Sequence, residues 1–276
     1  MKKSVFLVVL LIFTGVLVFA GGSKAAKSAS GVTALRVGTE GAFPPYNFVD
    51  ASGRADGYDV AVVRAVGDLL PEYSFDFVPT AWDGIFVALE AGEFDLIASD
   101  ISWRQERDEK YYLSTVPYNW GGTDIIFKAD RRDIKSLADL KGKKVAVGIG
   151  SAATLSLEDY VKQHPEEKIE IIYTDGDVNK YLLDVDAGRV DAALSSAITA
   201  YLAAESLGLK INGITITEWG VSSSHLLFPR TAKGKEYRDR IDGALKQLLD
   251  NGALSALSKK YFFGKDYSTK EALAAN

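Results

Sequence analysis

The sequence predicts an α/β protein with two lobes, and three observations support this. Short apolar strand patterns alternate with amphipathic helical patterns, which is typical of mixed, mostly parallel sheets flanked by helices. The alternation starts near Leu35 and restarts near Lys143, which indicates a second sheet. The chain has 276 residues, and beyond about 250 residues one hydrophobic core usually gives way to two.

The first lobe is predicted to contain strands and helices in turn. Its first helix has Val60, Val63 and Leu70 on one face, as a helix packed on a sheet requires. Asp59, near the start of this helix, is expected to be its N-cap, because a carboxylate there accepts hydrogen bonds from free backbone amides. The predicted elements are strand 35–38, helix 58–70, strand 75–78, helix 83–91 and strand 94–98.

The second lobe is predicted to follow the same pattern. Segments 123–130 and 218–224 lie at the joins, so two crossover strands are expected to connect the lobes, and the amphipathic helix 237–250 would close the first lobe. The predicted elements of the second lobe are strand 144–147, helix 152–162, strand 169–173 and strand 191–194. The predicted boundaries are 33–126 plus 221–267 for lobe 1, 127–220 for lobe 2 and 268–276 for a C-terminal tail.

The first twenty residues have the pattern of a secretory signal peptide. Lys2 and Lys3 precede an apolar run over residues 5–19, and small residues suitable for cleavage follow. The run is short for a membrane span, which needs about 20 residues. We therefore expect residues 1–20 to be a leader, 21–32 to be a flexible lead-in, and the mature protein to be periplasmic or secreted.

The composition excludes several classes of function. The chain has no Cys, so it has no disulfide, no Cys-ligated zinc, no thiol nucleophile and no lipobox cysteine for a lipid anchor. Its formal net charge of −5 makes it a poor candidate for binding nucleic acid. His164 and His225 lie far apart without the spacing of a metal cage, so neither a metal nor a cofactor is expected. A monomer is expected.

Two segments have the chemistry of an anion site. Arg107 and Ser102 follow the third predicted strand, and a guanidinium offers donors in a fork that matches a carboxylate. The glycine-rich segment 148–153 opens a predicted helix, where backbone amides attract anions. The same segment fits the G-x-G-x-x-A pattern of a dinucleotide site, with Asp175 after the next strand. A dehydrogenase is disfavoured because the pattern opens the second lobe and Asp175 comes late.

The order and spacing of several motifs resemble the periplasmic polar amino-acid binding proteins of ABC importers, which are family 3 of the bacterial extracellular solute-binding proteins. The resemblance covers nearly all of the chain after the leader and implies a type II periplasmic-binding fold. The motifs are Phe43-Pro44-Pro45-Tyr46-Asn47-Phe48, Gly57-Tyr58-Asp59-Val60, Trp82-Asp83-Gly84, Gly92-Glu93-Phe94-Asp95, Glu106-Arg107, 114–118, 139–145, Gly150-Ser151, 188–192 and 261–266.

The resemblance implies a carboxylate site shared by both lobes. Arg107 matches the arginine that holds the α-carboxylate of an amino acid, and Ser102 matches a hydroxyl donor to the same group. Ser151 matches the donor from the second lobe, and the neighbouring amides at the helix start, Ala152 included, complete the anion site. The resemblance also implies that the lobes close on the ligand by a hinge motion and then dock on an ABC permease.

The same resemblance assigns the rest of the pocket, with one departure. Phe43 and Trp82 match aromatic walls, and Glu40 matches a polar residue that reads the ligand's side chain. Ser196 stands where the family usually has the Asp that binds the ligand's ammonium group. Asp100 occupies a position whose backbone carbonyl normally meets that ammonium, so we expect its carboxylate to take over the contact.

Two alternatives remain open at the level of sequence. The first is a ligand without an α-ammonium group, such as an organic acid or a capped amino acid, because of Ser196. The second is an enzyme on the same fold that acts on prephenate or arogenate as a dehydratase. Such chemistry needs an acid or base in the cleft, for which Glu40 and Asp100 are the available carboxyls. Binding without catalysis is the favoured interpretation, and no catalytic residue is predicted.

Overall fold

The computed structural model describes residues 31–275 and has two lobes, each built on a mixed sheet with helices on both faces. This confirms the predicted α/β class and two-lobed architecture. The predicted leader 1–20 and most of the lead-in 21–32 lie outside the described residues. Among the helices of residues 31–275, none combines the length and hydropathy of a transmembrane span.

The described part of the chain contains the following elements. The strands are β1 Thr33–Thr39, β2 Ala42–Phe43, β3 Asn47–Val49, β4 Ala55–Asp56, β5 Tyr73–Pro79, β6 Leu96–Ser102, β7 Tyr111–Leu113, β8 Asn119–Gly121, β9 Asp124–Lys128, β10 Lys144–Gly148, β11 Glu170–Thr174, β12 Ala192–Ser195, β13 Ile211–Thr215 and β14 Ser222–Pro229. The helices are α1 Tyr58–Leu69, α2 Trp82–Glu90, α3 Gln105–Lys110, α4 Ala152–Gln163, α5 Val178–Asp186, α6 Ala197–Leu207, α7 Ala232–Asp250, α8 Ala253–Tyr261 and α9 Lys270–Ala275. Short 3₁₀ helices cover Leu137–Leu140, Pro165–Glu167 and Thr217–Trp219.

The sheet of the first lobe has the strand order β5-β1-β6-β14-β7, and β8 also pairs with β14. Strand β1 is parallel to β5 and β6, whereas β14 runs antiparallel to β6, β7 and β8. One face of this sheet packs against α1, α7 and α8 through Tyr58, Ile241 and Phe262. The other face packs against α2 through Ile85 and Ile97.

The sheet of the second lobe has the order β11-β10-β12-β9-β13. Along β10, Val145 and Val147 face one hydrophobic cluster together with Leu157 of α4, while Ala146 faces the other cluster together with Leu182 of α5. This alternation follows from the two-residue period of a strand. Each sheet is therefore covered on both faces, as largely parallel sheets require.

The chain crosses between the lobes twice. Strand β9 pairs with β13 over its whole length and with β12 over residues 124–126. The first crossing therefore precedes Asp124, whereas the predicted boundary follows residue 126. The return crossing lies between β13 and β14 and contains Gly220, whose φ of 66° favours glycine. The predicted tail 268–276 contains helix α9, and its first residue, Ser268, is buried.

The prediction that Asp59 is the N-cap of the first helix is wrong. The N-cap is Gly57, which has a φ of 115° and lies so close to Tyr46 that an added Cβ would come within 2.4 Å of the Tyr46 oxygen. This close approach starts the helix at Tyr58 and places Asp59 in its first turn, turned into the protein. Asp59 is fully buried.

Candidate functional site

A cleft of about 390 Å³ lies between the two lobes. Residues of both sheets and both crossovers line it, which is where ligands of two-lobed proteins bind. All nine predicted site residues are among the lining residues, namely Glu40, Phe43, Trp82, Asp100, Ser102, Arg107, Ser151, Ala152 and Ser196. The structure therefore brings the predicted set together in one place, and their contacts with a ligand stay predictions.

Arg107 is held by backbone carbonyls of both lobes. It lies on the short helix α3 just after β6, and only 6% of it is exposed. Its Nη1 donates to the Ser102 carbonyl at 2.9 Å, and its Nη2 donates to the Gly150 carbonyl at 2.8 Å. Burial lowers the pKa of Arg107 to about 10, so the guanidinium is charged at neutral pH. Ser102 therefore contributes its carbonyl to fixing the arginine, besides lining the cleft.

The start of helix α4 faces Arg107 from the second lobe. Ser151 is the N-cap, and its side chain accepts a hydrogen bond from the Thr154 amide at 3.0 Å. The first hydrogen bond of the helix from residue i to i−4 is that of the Leu155 amide to the Ser151 carbonyl. Ala152 and Ala153 come before Leu155 in the chain, and both residues line the cleft. Their backbone amides are therefore outside the helical i to i−4 pattern, so the helix start can receive an anion.

Asp100 lines the cleft and has a left-handed backbone conformation, with a φ of 46°. Its carboxylate accepts hydrogen bonds from the Asn119 amide at 2.9 Å and from the Ser224 hydroxyl. Burial raises the pKa of Asp100 to about 6 in spite of these donors. A carboxylate in this state gains from a cationic partner, because the partner stabilises its charged form.

Glu40 is a second carboxyl group of the cleft. It follows strand β1, and no hydrogen bond of its side chain is found among the described residues. Burial is the main cause that raises the pKa of Glu40 to about 8, and the charges of Asp177 and Asp175 across the cleft add to it. Glu40 therefore carries a proton at neutral pH unless a cation comes near.

The aromatic residues of the cleft also connect the lobes. Phe43 stacks on Tyr46 with 5.0 Å between ring centroids, and the Tyr46 hydroxyl lies 3.4 Å from the Ser196 hydroxyl of the other lobe. The Trp82 Nε1 donates to the Ile149 carbonyl at 2.8 Å. Trp82 thus bonds across the cleft, a contact that the sequence did not predict.

Arg104 is a cleft residue that sequence reasoning missed. Its Nη1 donates to the Ala152 carbonyl at 3.3 Å and to the Ser156 hydroxyl at 3.0 Å, both in the second lobe. Its Nη2 also lies 3.5 Å from the Asp159 carboxylate. The available signal was its position three residues before Arg107, since residues three apart near a helix start share a face.

Ser196 and its neighbour have different surroundings. Ser196 is the N-cap of α6, but its side chain makes no capping hydrogen bond and lines the cleft instead. Ser195 accepts a hydrogen bond from the Tyr181 hydroxyl at 2.8 Å. The position where the family usually carries an Asp is thus a neutral hydroxyl at the cleft surface.

The two histidines lie outside the cleft lining. His225 is buried in β14, with its Nδ1 2.7 Å from the Ser114 carbonyl. The sequence spacing indicated no metal cage at either histidine, but His164 lies near two glutamates. One ligand atom from each of His164, Glu166 and Glu167 falls within 4.8 Å of the others. Glu166 is exposed, and we assign no metal to this group.

Comparison with known families decides what kind of protein this is. Residues 35–265 match the model of the bacterial extracellular solute-binding proteins, family 3. The chain belongs to this family.

Relatives of this family 3 protein are named as amino-acid-binding proteins. It is 33% identical to the probable amino-acid-binding protein YxeM of Bacillus subtilis, over 95% of this chain and 96% of that protein. It is 30% identical to the L-cystine-binding protein TcyJ of B. subtilis, over 84% of each chain. The L-cystine-binding protein TcyJ of Escherichia coli is 31% identical over 83% of this chain and 82% of that protein.

Solved structures agree with the family. One comes from work on glutathione import through GshT and the cystine ABC importer TcyBC of Streptococcus mutans. It matches with a TM-score of 0.79 and 25% identity over 87% of this chain and 99% of that one. An ancestral arginine-binding protein bound to arginine matches with a TM-score of 0.72 and 28% identity over 83% and 98%. The family and its named relatives are solute-binding proteins and not enzymes, which confirms the favoured interpretation over the dehydratase and dehydrogenase alternatives.

Proposed function

We propose that this family 3 protein captures an α-amino acid whose far end carries a second positive charge, and delivers it to an ABC permease. The observation that carries the proposal is the arrangement of charges in one cleft. A buried arginine and a helix start face each other from opposite lobes, and two carboxyl groups with raised pKa values, Asp100 and Glu40, line the same cavity.

The carboxylate of the amino acid is assigned to Arg107 and the start of α4. The guanidinium is charged, buried and held in orientation by two carbonyls. The amides of Ala152 and Ala153 supply donors and the positive end of the helix dipole. A carboxylate bound here contacts both lobes, so its binding favours the arrangement in which the lobes touch.

The α-ammonium group is assigned to Asp100. This carboxylate lines the cleft, and it is not in an ion pair with a Lys, Arg or His nitrogen among the described residues. Because burial has raised its pKa, a bound cation would stabilise the charged form. Asp100 thus supplies the charge that Ser196 lacks. An organic acid without an ammonium group would leave this carboxylate uncompensated.

The far end of the ligand is assigned to Glu40, between Phe43 and Trp82. A neutral side chain would leave Glu40 protonated, whereas a cationic group would ionise it and form a buried ion pair. Two relatives in the comparison bind L-cystine, which has an ammonium group at each end, and a structural neighbour binds arginine. These names support L-cystine or a basic amino acid as the ligand class.

We infer that the structure corresponds to the closed form of a hinged clamshell. Trp82, Arg107 and Arg104 of the first lobe each donate to a backbone carbonyl of the second lobe. Opening requires that these hydrogen bonds break, so closure is favoured when a ligand adds contacts to both sides. The closed form is the one that we expect a permease to recognise, with the protein acting as a monomer.

We also propose that the protein is exported and loses its leader after residue 20. The basic start, the apolar run and the family's extracellular character support export. Secretion from an expression host, followed by N-terminal sequencing of the mature chain, tests the cleavage site. A mature chain that begins at Met1 contradicts this part of the proposal.

The ligand assignment is tested by calorimetry with a matched panel. The panel contains L-cystine, L-arginine, L-glutamine, L-leucine, prephenate and 3,3′-dithiodipropionate, which is cystine without its ammonium groups. We expect L-cystine or L-arginine to bind at least about tenfold more tightly than L-leucine, and dithiodipropionate to bind poorly. Equal or tighter binding of dithiodipropionate or prephenate contradicts the ammonium assignment. Conversion of prephenate by the protein contradicts the assignment of binding alone.

A further inference from the structure

A fully buried carboxyl group, that of Asp59, adjoins the backbone of Asp100, to which we assign the ammonium group. Asp59 is fully buried, and its two oxygens accept hydrogen bonds from the Tyr118 hydroxyl at 2.8 Å and from the Asn47 amide at 2.7 Å. The backbone amide of Asp100 donates to the same carboxylate. Asp59 therefore holds the left-handed backbone of Asp100 through this hydrogen bond, while Asp100 lines the cleft.

Within the described part of the chain, the Asp59 and Asp100 carboxyl groups lack a direct cationic partner. Among residues 31–275, neither Asp59 nor Asp100 forms an ion pair within 4.0 Å with a Lys, Arg or His nitrogen. The charge of Arg107 favours ionisation of Asp100, but the Arg107 guanidinium already donates hydrogen bonds to two carbonyls. The Oδ1 atom of Asn119, whose amide nitrogen contacts Asp100, is also buried without a hydrogen-bond partner.

Two neighbouring buried carboxyl groups cannot both ionise at low cost, because like charges repel in a medium of low dielectric constant. Burial and the charge of Asp100 raise the pKa of Asp59 well above its ordinary value, although three donors oppose this. Burial raises the pKa of Asp100 to about 6. Both shifts oppose the state in which the two carboxyl groups are charged together.

We propose that Asp59 and Asp100 work as a single two-carboxyl site, in which the empty pair keeps one proton and the ligand's ammonium group, bound at Asp100, expels that proton to solvent. The ammonium group keeps its own three hydrogens, and the pair changes from one negative charge to two. Asp59 is then a positioning residue that strengthens the site without touching the ligand. This inference rests on the proposed function, because it needs an ammonium-bearing ligand.

The proton of the pair must be distinguished from protons that other titratable groups nearby could release. Burial raises the pKa values of the neighbouring tyrosines, which stay neutral, and Arg107 stays charged. His225 adjoins Ser224 on β14, and burial lowers its pKa from 6.5. Glu40 also keeps a proton near neutrality. The groups that face the pair are Tyr46, Tyr58, Tyr118 and Arg107, with the neutral side chains of Asn47, Asn119 and Ser224.

The experiment counts protons released on binding. L-cystine, L-arginine and L-glutamine are titrated calorimetrically at pH 7.5 in buffers of different ionisation enthalpy, with wild type and with Glu40→Gln, which removes the other proton-holding carboxyl. The tightest binder is then used from pH 4.5 to 8. We expect release of about half a proton or more at pH 7.5 in the Glu40→Gln protein. Affinity should therefore already fall as the pH drops through neutrality, and below about pH 6, where Asp100 also takes up a proton, the fall should steepen beyond about tenfold per pH unit.

Matched variants test whether the released proton comes from the Asp59 and Asp100 pair. Asp59→Asn in the Glu40→Gln background should still bind the same amino acid, about tenfold more weakly, but release no proton at pH 7.5. Asp100→Asn should lose both the release and most of the affinity. His225→Gln and the exposed Asp76→Asn should keep the wild-type profile. Thermal melting establishes that each variant folds.

Distinct results overturn distinct statements. Tight binding by the Glu40→Gln protein with less than about a tenth of a proton released overturns the paired site and leaves the proposed function intact. Equal release from the Glu40→Gln protein with and without Asp59→Asn has the same meaning. If Asp59→Asn does not fold, release that persists in Asp100→Asn overturns the paired site in its place. If no amino acid of the panel binds at any pH, the proposed function is wrong and the paired site falls with it.

Discussion

Replacement of Arg107 by alanine is the most direct test of how the cleft binds. The substitution removes a charged group that is 6% exposed and that we assign to the ligand's carboxylate. It also removes the hydrogen bond of 2.8 Å from Nη2 to the Gly150 carbonyl, which connects the lobes. The variant should therefore lose contact with the ligand and also lose stability of the closed form.

The size of the effect follows from these two losses. Truncation of one partner of a desolvated charge pair costs about 2 to 5 kcal/mol, and loss of an ordinary hydrogen bond costs about 0.5 to 1.5 kcal/mol. Since each 1.4 kcal/mol is about a factor of ten in affinity, we expect at least about 50-fold weaker binding. A micromolar ligand, bound with about −8 kcal/mol, would then need concentrations near 100 µM or above.

The assay is calorimetry with the tightest amino acid of the panel, combined with small-angle scattering to measure closure. Arg107→Lys keeps the charge but loses the fork, so its affinity should lie between those of wild type and alanine. Arg36→Ala serves as the control, because Arg36 is an exposed arginine of the same lobe that does not line the cleft. Wild-type affinity in Arg107→Ala, within threefold, would refute the carboxylate assignment.

Three further predictions concern the other cleft residues. Glu40→Gln should weaken the binding of L-arginine or L-cystine at least about tenfold and leave that of L-glutamine almost unchanged, because at pH 7 only a second cation ionises a group whose pKa is about 8. Competition binding at pH 7 measures this, and equal losses for all ligands contradict it. Trp82→Phe should weaken binding by about 2- to 12-fold, since the hydrogen bond to the Ile149 carbonyl is lost; scattering of the liganded protein should show a larger open fraction. Ser196→Asp should restore binding of the ammonium group to the Asp100→Asn protein. Titration with the same amino acid measures this, and an affinity that does not recover contradicts the prediction.

The start of helix α4 and the place of the predicted site residues in one cleft were predictable because their signals are local. The glycines before Ser151 and the apolar periodicity after it predict a helix at Ala152, and the structure begins α4 at that residue. The motifs around Arg107 likewise predicted a set of site residues, and the structure places that set along one cleft. Each of these features depends on a few neighbouring residues and on the period of a helix or strand.

The contacts between distant segments were not predictable in the same way. Asp59 was expected to cap its helix, but its environment depends on the close packing of Gly57 and on Tyr118, which lies 59 residues away along the chain. The bonds of Trp82 and Arg104 depend on how one lobe is placed on the other. No local pattern encodes such a placement, and the carbonyls that accept these bonds have no signature in a sequence.

The hydrogen bonds between the lobes have a consequence for how the sequence of such a protein can change in evolution. Three side chains of the first lobe reach the second, and each finds a main-chain oxygen there, at Ile149, Gly150 or Ala152. A main-chain oxygen persists whatever residue type occupies its position. Substitutions in this segment can therefore change the surface that contacts the solute while the hydrogen bonds between the lobes are kept. The solute specificity can then change without loss of lobe closure.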